Sequence, residues 1–361
     1  MPRTYPTGNS SAGSPSIRDG AHQERKRGKK VYPARPLGRK AAETRRQVAE
    51  TGIAGRRRYA PGAQTNKSLQ LPAPAVPGFE IVVTGDPALL RQAMDVMVDA
   101  WAMPDYTEAV PSHVLKALVD NGGFVALAVS EGRVIGFAMG FLGLSEEHGY
   151  YLYSHMVGVR REFRGSGVAL QLKLFQREWA LKRGYKLVTW TFDPCQGLNA
   201  RFNFGKLGVV CRTFLENYYG EIRDSLNEGL PTDRFKVEWW ITSKRVEDRI
   251  SGRDPPPTLD QVGHLSHIAL ESKPEEGLRG PAELRLAEEE LVLVEFPGDI
   301  NELRRRSPGL ALRWKLALRK VLSFYLPRGY IVVEHVPHCG GWREEELLPP
   351  LASKHREGTI G

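Results

Sequence analysis

The stretch from Val157 to Gly184, "VGVRREFRGSGVALQLKLFQREWALKRG", constrains this chain more than any other, because it runs from an apolar strand into a glycine-containing turn and then a helix. Val168, Leu172, Phe175 and Trp179 fall at the i, i+4, i+7, i+11 spacing of one helix face, and Gly184 ends the run as a C-cap does. Gly165 and Gly167 therefore sit at a helix N-terminus. Unpaired amides and the positive end of the helix dipole meet there, and residues without a Cβ let an anion approach the backbone. Phosphate is the natural guest, and an ordinary strand-to-helix connection is the alternative. There is no GK[ST] for a nucleotide loop, no G-x-G-x-x-G, and no acidic residue about 20 positions later to hold a ribose. What stands is Arg164-Gly165-Ser166-Gly167-Val168-Ala169, an R-x-x-G-x-A sequence, preceded by Gly158 inside the strand, where a glycine marks a bulge or a close backbone approach.

From Phe79 onward the pattern alternates strands and helices. "FEIVVTG" reads as a strand and "DPALLRQAMDVMVDAWAM" as a helix with Asp86 as N-cap and Pro87 at its first position; "PSHVLKALVDNGG" reads as a second helix. "GFVALAVSEG" and "RVIGFAMGFLGL" form a hairpin pattern, and "YYLYSHMVGV" gives a third strand before the glycine turn. "KLVTWTF", a short helix at "LNARFNFGKLG", and strands at "VVCRTFLEN" and "RFKVEWWIT" follow. Beyond the connector "SGRDPPPTLDQ" lie the strand "ELVLVEFP", a helical run interrupted at Pro308, and the strand "YIVVEHV".

The R-x-x-G-x-A turn in this element order resembles the pyrophosphate-binding motif of the GNAT superfamily of acyl-CoA N-acyltransferases, and "LNARFNFGKLGV" resembles that family's Asn-containing fourth helix and closing Leu-Gly. Closer still, "SHMVGVRREFRGSG", "WTFDPCQGLNARFNFGKLG" and "ALRWKLALRKV" resemble a bacterial branch of predicted acetyltransferases, over roughly Phe79 to Val336. The resemblance implies an α+β fold, a mixed, mostly antiparallel twisted sheet flanked by helices with a C-terminal α/β extension, and composition adds a disordered N-terminal tail. It implies three segments: 1–76 a basic tail, 77–250 the acyl-CoA-binding domain, and 251–361 an extension packed on the core.

If the resemblance carries through, the amides of Arg164, Gly165, Ser166, Gly167, Val168 and Ala169 bind the pyrophosphate of acetyl-CoA or another acyl-CoA. The strand end at Met156, Val157 and Val159 then pairs with the pantetheine, Asn199 adds a contact, and one strand N–H donates to the thioester oxygen. Arg160, Arg161 and Arg164 offer charge to the phosphates or stand solvated. An amine must lose a proton before attack, so a general base is expected. His155 suits that task, with Glu146 and Glu147 as fallbacks and a core histidine as the bland alternative. Where the family often carries a Tyr as acid, this chain has Phe204; Tyr218 or Tyr219 could substitute, the thiolate could leave to solvent, or catalysis could be impaired. Asp193, Asn203 and Tyr219, with Asp233 and Arg234, offer polar groups for an acceptor bearing charges, first an amino-acid-like small amine and second a protein amine. A non-catalytic acyl-CoA sensor is the competing class.

The formal charge of +9 invites a nucleic-acid reading until the chain is divided: residues 1–76 hold 16 Lys/Arg against 4 Asp/Glu, and the rest 35 against 38. The basicity belongs to a Gly-, Pro-, Ser- and Arg-rich tail with no apolar period. Weak nucleic-acid contact, targeting, and no role at all compete for that tail. Three cysteines without a CxxC pair suggest neither a disulfide scaffold nor zinc, and His335, His338 and Cys339 lack a fourth ligand, so no metal is expected. No apolar run approaches the roughly 20 residues a bilayer needs, and no secretory signal opens the chain, so the expected location is cytoplasmic and no membrane partner is expected.

Overall fold

The computed structural model describes residues 78–220, 229–336 and 350–354, all within the unit Ser68–Gly361. The expected tail, together with His338 and Cys339, lies outside the described residues.

Strand β1 (Glu80–Val82) leads to α1 (Pro87–Trp101), where Asp86 caps the helix by accepting from the Ala88 amide and Pro87 occupies the first turn, as the sequence predicts. Helix α2 (Ser112–Asp120) follows, then β2 (Phe124–Ser130), β3 (Arg133–Ser145) and β4 (Gly149–Val159). Helix α3 (Val168–Leu181) returns to β5 (Leu187–Phe192). A short α4 (Gly197–Ala200) continues as a π-helical turn, Arg201–Lys206, a rare geometry that recurs at functional sites. Strands β6 (Val210–Leu215) and β7 (Arg234–Trp240) and helix α5 (Lys244–Ile250) come next.

The sheet does not stop there. After a one-turn helix α6 (Leu259–Val262) come β8 (His267–Leu270), the hairpin β9 (Ser272–Glu275) and β10 (Leu278–Pro281), and β11 (Leu291–Val294). Helices α7 (Ile300–Arg306) and α8 (Pro308–Tyr325) are divided at Pro308, and β12 (Tyr330–His335) and β13 (Pro350–Lys354) complete the set. One sheet of eleven strands runs β1-β2-β3-β4-β5-β7-β6-β12-β13-β11-β8, with β9 and β10 forming a separate pair. Within the long sheet only β4–β5 and β8–β11 are parallel, so the observed class is the expected α+β fold with a mostly antiparallel sheet.

Side-chain alternation divides the core into two layers. Val125, Leu127, Phe137 and Met139 pack with α1 and α2 on one face, whereas Phe124, Ala126, Ala138 and Leu152 pack with α3 on the other. Buried ion pairs bind the later segment to the earlier one: Lys315 Nζ donates to Asp193 Oδ2 at 2.6 Å, Arg319 reaches Asp233 through two bonds, and Arg249 is bidentate on Glu334.

Candidate active site

Two strand defects and one turn shape the site. Strands β4 and β5 pair only through Leu152–Val188 and Tyr153–Thr189. Beyond that rung β4 stays bonded to β3 and β5 to β7, so the two parallel neighbours part and a gap opens between Ser154 and Trp190. The second defect is a β-bulge: Gly140 pairs with Ser154 and Met139 with Met156, leaving His155 as the extra residue. Gly140 is obligatory here, because a Cβ would lie 2.6 Å from the Tyr153 carbonyl oxygen. The bulge leaves His155 in contact with the rings on the α1 face of the sheet, its ring 6.0 Å from that of Phe141 and 6.2 Å from that of Tyr153.

At the far end of β4 lies the glycine turn. Gly165 and Gly167 hold φ of +76° and +89°, which a Cβ would strain, and open space surrounds both. Gly167 is the N-cap of α3 with no side-chain cap, and Ser166 turns its hydroxyl back to the Phe163 carbonyl. Among the described residues the amides of Gly165, Gly167, Val168 and Ala169 donate to no backbone acceptor outside the helix. They stand as open donors at the positive end of a 14-residue helix, a setting that favours an anion. Gly136 lets α3 come this close to the sheet: a Cβ there would meet Val168 Cγ1 at 3.0 Å.

The three arginines of the turn have structural duties. Arg164 donates to the Ala100 carbonyl at 2.6 Å, Arg161 Nε to the Asp99 carbonyl at 3.0 Å, and Arg160 Nε to the Val134 carbonyl at 2.8 Å. Two of them thus neutralise the carbonyl end of α1, whose C-cap Ala102 is left-handed, and tie the turn to that helix.

On the α1 face of the gap the side chains are aromatic and hydroxylic. The Tyr219 hydroxyl lies 2.9 Å from Thr191 Oγ1 and 3.5 Å from the Tyr153 hydroxyl, and the Phe141 and Tyr153 rings are 5.3 Å apart. Burial, followed by the Tyr219 hydrogen bond, holds the Tyr153 phenol above its ordinary value, so it stays protonated. Desolvation lowers the His155 pKa from 6.5, which keeps the imidazole neutral at neutral pH even though part of its ring meets solvent. Lys236, opposite Thr191 in the β5–β7 ladder, sits 5.7 Å over the Tyr151 ring, and Arg234 lies 5.4 Å over the Tyr219 ring.

The sequence-predicted residues therefore divide. The glycine turn with Met156, Val157 and Val159 lines one continuous strand-and-turn edge, with His155 at the bulge and Tyr219 across from it. Asp193 and Asp233 are buried and engaged by Lys315 and Arg319. Asn203 is buried in the π-helical turn, and Asn199 is exposed on α4. Glu146 and Glu147 lie in the β3–β4 turn before Gly149, which is itself six residues or about 20 Å of strand from His155. Phe204 is fully buried, its ring 6.1 Å from Phe192 and 6.2 Å from Phe235. His335 is buried beside Phe296, and desolvation lowers its pKa to about 4.

Sequence reasoning passed over Lys173. It lies in the buried face of α3, with Nζ 3.1 Å from Ser154 Oγ, 3.0 Å from Gln176 Oε1 and 3.5 Å from the centre of the Trp190 ring. Its position, five residues past Val168, falls beside the apolar stripe, which is the one signal the sequence carries.

The parallel neighbours of the sheet thus part beside a bulged strand, with open amides at the start of the next helix. Residues 90–208 match the model of the Acetyltransferase (GNAT) family. No curated protein matches the chain. Among solved structures, Naa50 of Arabidopsis thaliana, in complex with the bisubstrate analogue CoA-Ac-MVNAL, is 18% identical, with 44% of this chain and 97% of that one covered and a TM-score of 0.35. Ard1 of Thermoplasma volcanium is 16% identical over 44% and 95%, with a TM-score of 0.36. A GNAT-family acetyltransferase of Streptococcus pneumoniae is 12% identical over 45% and 98%, with a TM-score of 0.34.

Proposed function

We propose that the protein is an N-acyltransferase that moves an acetyl or related acyl group from acyl-CoA to the primary amine of a small, amino-acid-like molecule. The observation that carries this reading is the pairing of the open amides of Gly165, Gly167, Val168 and Ala169 with the β4–β5 gap that begins at Ser154; the amides of Arg164 and Ser166, also expected to bind, already donate to Arg161 and Phe163. The cradle would hold the pyrophosphate, and the unpaired edge of β4 at Met156, Val157 and Val159 would take the pantetheine amides as a missing strand would. Such positioning accounts for much of the rate gain in transfer between two bound partners.

Within that reading His155 accepts the proton of the incoming amine. Its neutral ring suits a general base, and the bulge sets it beside the gap. Tyr153, Tyr219, Thr191 and Phe141 form the wall the acceptor would meet. Lys236 and Arg234 at the β7 side favour an acceptor that carries a carboxylate over a polycation. Domain roles follow: 77–250 carries acyl-CoA binding and 251–361 braces it, by way of the Lys315–Asp193 and Arg319–Asp233 pairs.

Isothermal titration with CoA and acetyl-CoA, followed by free-thiol release against a panel of amines, tests the proposal. Micromolar binding and turnover with an amino acid or its analogue are expected, and no binding at millimolar CoA overturns it. Phe204 favours a second reading, a sensor that binds acyl-CoA without transfer. Binding with no thiol release from any amine would select it.

A further inference from the structure

Lys173 is a buried amine with no carboxylate against it among the described residues, which is rare because a buried charge is ordinarily paired. Lys315, the other fully buried lysine described, has Asp193. Lys173 has two neutral oxygens and an indole face, a set that offers a partner to each of the three N–H bonds of an ammonium. Beside it, Gln176 Nε2 is fully buried and donates to nothing among the described residues, so a second donor is idle at the same place. The location is informative. Ser154 and Trp190 are the first residues past the last β4–β5 rung, one on each strand, and Lys173 touches both. Its amine thus closes the vertex of the gap from the α3 side, while His155 stands at the same depth on the α1 side.

We propose that Lys173 is the acid of the acyl transfer, the group that meets the departing thiolate at the vertex of the β4–β5 gap. This rests on the acyl-CoA reading given above. The acceptor nitrogen forms its bond to the acyl carbon as the carbon–sulfur bond breaks, and the electron pair of that bond goes to sulfur. A proton passes from the Lys173 ammonium to sulfur, leaving a neutral amine, and the proton that the acceptor amine sheds to His155 and solvent restores the ammonium. Desolvation holds the Lys173 pKa well below the lysine value of 10.5, so its ammonium gives up a proton more readily than a solvated one. The hydroxyls of Tyr153 and Tyr219 lie on the opposite face, and Phe204 has no proton to give. Gln176 Nε2 would steady the same sulfur.

The test reads bound CoA itself as well as turnover. Thiolate absorbance of CoA bound to the wild-type protein, to Lys173→Met and to Gln176→Leu is titrated with pH. The wild-type complex should ionise its thiol about one to three units below the Lys173→Met complex, since an adjacent cation favours the thiolate. Turnover of acetyl-CoA should fall roughly a hundredfold or more in Lys173→Met at unchanged affinity for acetyl-CoA, which carries no free thiol. Lys173→Met matches the packed volume and removes an uncompensated polar group, so its melting temperature should equal or exceed that of the wild type; should it fail to fold, Ser154→Ala, which removes one partner of the amine, is titrated in its place and should shift the thiol in the same direction. Equal thiol titration in a folded variant and the wild type overturns the assignment of Lys173 while leaving the acyl-CoA reading intact. Absence of CoA binding by the wild type overturns both.

Discussion

The two faces of the sheet at the β4–β5 gap differ in kind. On the α1 side, His155, Phe141, Tyr153 and Tyr219 form a partly open aromatic surface in which each polar group is a hydroxyl or a neutral ring. On the α3 side the surface is closed: Lys173, Gln176 and Ser154 are buried among Trp190, Trp239 and the apolar core. One bulge separates them. Because side chains alternate along β4, Ser154 faces α3, and the extra residue at 155 puts His155 and Met156 together toward α1. The difference teaches that strand alternation sets a candidate base and the partner of a candidate acid on opposite faces of one strand, the inserted residue adding Met156 to the His155 side.

The largest effect expected from breaking this contrast is chemical. His155→Gln should lower kcat/KM by about 10²- to 10⁴-fold with CoA affinity retained. The acidic limb of the wild-type pH profile should lie below 6.5, since the lowered pKa keeps the base unprotonated further into acid, and the limb should vanish in the variant. A variant that keeps the wild-type rate removes His155 from the mechanism. Next in size is a purely structural change. Lys315→Met leaves Asp193 buried without its partner, and denaturant unfolding should show a loss of about 3–5 kcal/mol with an unchanged KM for the acceptor. A raised acceptor KM in a stably folded variant would instead return Asp193 to the acceptor site.

Gly167→Ala should act on the cradle alone. A left-handed φ costs an alanine about 1–2 kcal/mol, and calorimetry should show CoA affinity falling about tenfold while a thiol-free acyl acceptor binds as before. Smallest is Tyr219→Phe. It removes one hydroxyl shared with Thr191 and Tyr153, a net hydrogen bond of about 0.5–1.5 kcal/mol, and should raise the acceptor KM a few-fold with kcat held. A fall in kcat instead would place a proton-transfer role on the α1 face and count against Lys173.

Phe204 sharpens the same contrast. Its ring lies wholly within the Phe192–Phe235 cluster, so a hydroxyl there would face apolar carbon and not the gap. The residue at that position is therefore core, and under the proposed transfer the acid would come from elsewhere.

Much of this was legible in the chain itself. The cradle was, because everything it needs is local: two glycines, a helix period, and a strand before them within 28 residues. The Asp86 cap, the Pro87 start and the Pro308 division were legible for the same reason, since each is set by the conformational limits of one or two residues. The engagement of Asp193 and Asp233 was not, for their partners lie 122 and 86 residues away, and composition says nothing about which of many lysines and arginines arrives. Nor were the duties of Arg161 and Arg164, which depend on where α1 ends relative to the turn, 62 and 64 residues earlier.

What the sequence determined by itself was an α+β sheet with a glycine turn and open amides at one helix N-terminus, because backbone conformation and hydrogen-bond geometry are local properties. What only the tertiary structure decided was the character of the gap. A lysine beside an amphipathic stripe reads as solvated until the packing of α3 against β4 and β5 removes water from it, and whether water is removed is a property of the assembled layers, not of any segment.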